Sequence, residues 1–192
     1  AGIALTTLSA CTEADSKANS TIDVVAAFYP LQFVAERVGG NAVKVTNLAK
    51  PGIEPHDLEL EPKQLATIAD ADLALYLKGF QPAVDEAIDA EAKKTSFDVA
   101  TVQSLDDAPE GEEDGKDPHV WLDPTRLATI ADQVAERLAA ADKNKDHADA
   151  YKLGAVKLKI DLTALDEEDK KGLQTCDRRD IVTSHAAFGY LA

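Results

Sequence analysis

Methionine is absent from all 192 residues, histidine occurs only four times and cysteine twice, and 20 basic residues face 35 acidic ones. Each shortage excludes something. Without a methionine, even at position 1, the chain is expected to be processed or truncated at its N-terminus. A formal net charge of −15 repels polyanions, which excludes nucleic acid and an anionic bilayer surface as partners and suits a cation instead. No membrane span is present at the N-terminus, because its apolar run covers ten residues and a span needs about 20. His-Glu-x-x-His, Gly-x-Ser-x-Gly and a phosphate-cradling glycine loop are all missing, which argues against an enzyme.

Hydrophobic residues make up 45% of the chain, enough for a real core and against wholesale disorder. The small and apolar residues 1–10 run into Leu8-Ser9-Ala10-Cys11, which resembles a bacterial lipobox. Residues 1–11 are therefore read as a signal-peptide remnant with Cys11 as the lipidation site, and 12–21 as a flexible tether. The second cysteine, Cys176, then has no partner within the chain.

Beyond the tether, strand and helix patterns alternate. Residues 22–28, 43–48, 71–77 and 97–100 read as strands, and 30–38, 62–69 and 81–92 as helices. Such alternation predicts an α/β fold, a Rossmann-like lobe with a mostly parallel sheet flanked by helices over residues 22–141. An acidic loop at 106–117 holds seven acids and two glycines and is expected to be solvated. A helix from Pro124 to Ala140 follows, with Leu127, Ile130, Ala131, Val134 and Leu138 on one stripe. Apolar residues Tyr151, Ala155, Leu158, Leu162 and Leu165 then recur at helical spacing inside a proline-free stretch. This predicts a long linker helix within 142–176, roughly 40 Å at 1.5 Å per residue. A strand at 181–183 and a helix beginning at 186 are expected to open a second α/β lobe over 177–192.

Three of the four histidines sit in stiff turns: Glu54-Pro55-His56-Asp57, Asp117-Pro118-His119-Val120-Trp121-Leu122-Asp123-Pro124 and Thr183-Ser184-His185-Ala186. Proline fixes φ and lowers the entropy of ordering a loop, as a pre-formed metal site requires. His56 follows a strand and so does His185, which places both where open α/β sheets bind ligands. Asp57, Asp117 and Asp123 are candidates to accept the second ring N–H of a ligating imidazole, and Trp121 offers an apolar wall. Intervals of more than sixty residues exclude a zinc finger. Imidazole ligands favour zinc over manganese, which prefers carboxylates and water, while copper and nickel also accept imidazole. His147, between Asp146 and Ala148, is read as an ordinary turn residue.

Phe28-Tyr29-Pro30, Gly52-Ile53-Glu54-Pro55-His56-Asp57-Leu58-Glu59-Leu60, the run 117–124 and Thr183-Ser184-His185-Ala186-Ala187-Phe188-Gly189-Tyr190 occur in this order. Together they resemble the metal-binding solute-binding lipoproteins of zinc and manganese ABC importers, over nearly all of residues 22–192. The resemblance implies two α/β lobes joined by a rigid helix, metal in the cleft between them, and His56, His119 and His185 as three of its ligands. It implies a fourth, acidic ligand in the second lobe, beyond Ala192. A histidine at 185, where manganese carriers commonly have a carboxylate, points to zinc. The implied protein is monomeric and extracytoplasmic, anchored to the bacterial membrane by its lipid alone, and delivers zinc to an ABC permease. Alternatives are a manganese-binding member, a surface adhesin of the same family, and a zinc hydrolase with an open three-histidine site and Glu54 or Asp57 as base.

Overall fold

The structure, a computed structural model, describes residues 21–108, 115–178 and 180–191. Cys11, most of the tether and the middle of the acidic loop lie outside the described residues. Among the described residues four strands, β1 (Ile22–Ala26), β2 (Val43–Asn47), β3 (Leu73–Tyr76) and β4 (Ser96–Asp98), form one sheet in the order β2-β1-β3-β4. Every pairing is parallel. β3 is buried at all four positions and β1 at all but Asp23, as a parallel sheet covered on both faces requires. β2 lies at the edge and alternates half-buried with exposed residues.

Among the described residues, five α-helices connect and cover the sheet: α1 (Tyr29–Gly39), α2 (Pro62–Asp70), α3 (Pro82–Ala87), α4 (Pro124–Ala141) and α5 (Ala148–Leu173). Leu31, Val34, Ala35 and Val38 give α1 a buried stripe, and Gly40 ends it at φ 54°, a conformation that costs glycine nothing. α2 opens with a capping box in which the Glu61 and Gln64 side chains each bond the other's backbone N–H. α3 widens into a π-turn over Ile88–Ala92, so the single helix expected at 81–92 is two geometries in series.

α5 lies against α4 and α1. At the crossing with α1, a Cβ on Gly154 would stand 2.3 Å from the Val38 carbonyl oxygen, so this glycine lets the two backbones meet. Burial along α5 stops at Leu162. Leu165, expected on the same stripe, is 45% exposed, and the last turns carry no buried residue.

The strand expected at 181–183 and the helix expected from 186 do not form. Residues 181–183 have no ladder partner and 187–191 are turns. A strand exists only through a neighbour that bonds its N–H and C=O groups, and none is present there among the described residues. Cys176 is free and exposed. No helix among the described residues is long and apolar enough to cross a membrane.

Candidate metal centre

Strand order reverses beside β1, whose neighbours β2 and β3 lead the chain in opposite directions, and crevices open at the carboxyl ends of strands at such a point. Phe28, just past β1, and Phe80, just past β3, meet there edge to face with centroids 4.9 Å apart. Trp121 packs on both, at 4.9 and 5.6 Å. This aromatic floor carries the site.

His56 sits in the turn after β2, its ring edge-on to Phe80 at 4.6 Å. The turn is fastened from beneath, where buried Gln81 donates from Nε2 to the Pro55 carbonyl at 2.9 Å. Glu54 Oε1 accepts the His56 backbone N–H at 3.4 Å. Burial, together with the neighbouring His119 imidazole, holds the His56 pKa below its ordinary value and outweighs the opposing charges of Glu54 and Asp57. A neutral imidazole is the form that binds metal.

His119 is buried, with its ring 5.3 Å from Trp121. Asp117 Oδ1 accepts its backbone N–H at 3.0 Å and lies 2.7 Å from its Nδ1. A carboxylate only accepts, so Nδ1 carries the proton and Nε2 turns its lone pair into the cleft. The His185 Nε2 atom lies 2.9 Å from that nitrogen. Each of the three imidazoles offers a nitrogen within 4.8 Å of the others. Zinc bound tetrahedrally at about 2.0–2.1 Å sets its nitrogens roughly 3.4 Å apart, so small side-chain adjustments suit this triangle to the ion. The three rings, with Glu54, Asp57 and Lys116, face a cleft of about 660 Å³.

Residues 24–192 match the family described as zinc-uptake complex component A, periplasmic (ZnuA). The chain belongs to the ZnuA family. It is 30% identical over 199 residues to the zinc-binding lipoprotein AdcA of Streptococcus pneumoniae, covering 96% of this chain and 39% of that protein. It is also 30% identical over 183 residues to the manganese-binding lipoprotein MntA of Bacillus subtilis, covering 92% and 59%. The crystal structure of Zn(II)-bound AdcA from S. pneumoniae superposes with a TM-score of 0.79 at 30% identity, over 90% of this chain and 37% of that one. The chain thus spans between 37% and 59% of these relatives' length.

Within this ZnuA-type fold the sequence-predicted residues divide. His56, His119 and His185 come together, whereas His147 lies elsewhere, with its Nδ1 2.7 Å from Asp142. Asp117 bonds an imidazole. Asp123, expected to share that task, instead caps α4, where its Oδ1 accepts the N–H groups of Thr125 and Arg126 at 2.7 and 3.2 Å. Asp57 lines the cleft and acts on His56 through charge. Sequence reasoning missed Phe80 and Gln81, which lie four and five residues past β3 on the carboxyl edge where it placed the site. It also missed the role of Tyr190, which has no local signature.

Proposed function

We propose that this chain captures zinc between His56, His119 and His185 and forms the receptor part of an extracytoplasmic carrier that delivers the ion to an ABC-type permease. The convergence of three imidazoles, one already oriented by a buried carboxylate, carries this reading. Three imidazole donors on a ZnuA-type fold favour zinc, since manganese is better matched by carboxylate and water. Zinc is cargo here, and no bond is made or broken, so the protein is not an enzyme. The lipobox-like segment ending at Cys11 supports a membrane-tethered location outside the cytoplasm.

The manganese reading has one supporting observation, the similarity to MntA. One experiment separates the two metals and tests the ligands. Zinc and manganese are titrated calorimetrically into the full chain with a competing chelator, and again into His56→Ala, His119→Ala and His185→Ala. One zinc site is expected, preferred over manganese. Each substitution should weaken it by more than the roughly 10–100-fold that loss of a supporting residue costs. Manganese preference overturns the choice of metal. Zinc binding indifferent to all three substitutions overturns the site.

A further inference from the structure

His185 stands in a segment without regular structure, and its companions Ile181 and Val182 are 68% and 101% exposed. A metal ligand on such a segment needs something else to hold it. The hydroxyl of Tyr190, five residues on, supplies two attachments: it accepts the Asp106 backbone N–H and donates to the Asp117 carbonyl, both at 2.8 Å. Asp106 and Asp117 face each other across the base of the acidic loop. They are joined by the Asp117 N–H to Asp106 carbonyl bond at 2.9 Å and by the adjoining antiparallel bridge between Asp107 and Lys116. The Tyr190 ring lies beneath the Arg126 guanidinium at 4.6 Å. Arg126 is itself anchored by a 2.9 Å bond to the Ser104 carbonyl.

Asp117 is thus touched from both sides. Its carboxylate bonds the His119 ring and its carbonyl receives Tyr190, so one residue touches the segments of both imidazoles. Gly189 completes the fit, because a Cβ there would lie 3.0 Å from Asp117 Oδ2.

We infer that Tyr190 is a positioning residue for metal capture: its hydroxyl clamps the His185 segment to the base of the acidic loop and so sets His185 opposite His119. This inference rests on the proposed zinc site and assigns a residue outside the ligand set. Tyr190→Phe keeps the ring under Arg126 and removes both hydrogen bonds. Competitive titration should show about a tenfold loss of zinc affinity, as expected for two ordinary hydrogen bonds. Cobalt(II) substituted for zinc should report an altered ligand field in its visible spectrum.

The deciding comparison is a double-mutant cycle. If Tyr190 acts through His185, Tyr190→Phe should cost nothing further in a His185→Ala background. Circular dichroism confirms that each variant is folded. An unchanged affinity in Tyr190→Phe, or the same loss with and without His185, overturns the clamp while leaving the zinc site standing. Absence of zinc binding in the unaltered chain overturns both.

Discussion

Asp117 fixes the buried His119 ring by accepting hydrogen bonds from both its Nδ1–H and its backbone N–H on one oxygen. Rotation and tautomer are thereby set before any ion arrives. Asp117→Ala releases both, and zinc affinity is expected to fall roughly 10–100-fold in a chelator competition assay. An unchanged affinity would mean His119 needs no orienting partner. The three histidines and Asp117 were legible in the sequence because proline-bracketed turns and an adjacent acid are local patterns. Gln81 and Tyr190 were not, since what they do depends on chain segments approaching from far away. Tyr190 reaches an N–H 84 residues distant, and no spacing rule encodes that.

Two helix junctions hold the scaffold behind the site. At the first, α5 crosses α1 where Gly154 meets the Val38 carbonyl. Gly154→Ala gains helix propensity of about 1 kcal/mol, but its Cβ collides with backbone, which cannot yield as a side chain can. We expect net destabilisation of about 1–3 kcal/mol by urea denaturation, and an increase in stability would show that the helices separate freely.

At the second junction, between α4 and α5, buried Asp142 accepts the Tyr151 hydroxyl at 2.5 Å and the Asn144 N–H at 2.8 Å, with His147 Nδ1 2.7 Å away. Burial alone would raise the Asp142 pKa, but these bonds outweigh it and hold the carboxyl below its usual range. A carboxylate with a lowered folded pKa adds stability that is complete above its unfolded value, roughly 4, and is lost as pH falls through the folded value. Tyr151→Phe removes one donor. Its cost, about 1–3 kcal/mol at pH 7, should therefore shrink at pH 3. Equal costs at both pH values would contradict this assignment.

The elements themselves were largely readable, because buried parallel strands and amphipathic helices follow from short-range periodicity. Strand character at 181–183 misled, since β-branched residues favour a strand only where a neighbouring strand exists to pair with them.

As a whole, the molecule combines a net charge of −15 with a cleft that gathers imidazoles from three distant parts of the chain. Binding an ion to that arrangement stabilises the folded state by linkage, because the unfolded chain does not bring the rings together. Zinc at about 1,000 times its Kd contributes about 4 kcal/mol, which for a chain of this size raises Tm by roughly 10 °C. A variant lacking all three histidines should show no such shift, and an equal shift in that variant would place the zinc elsewhere.

The most direct test is X-ray absorption at the zinc K-edge on the loaded chain. Three imidazole nitrogens at about 2.0–2.1 Å are predicted, with one imidazole lost in each of His56→Ala, His119→Ala and His185→Ala. A first shell without imidazole, or one unchanged by these substitutions, would contradict the claim that this cleft captures the metal.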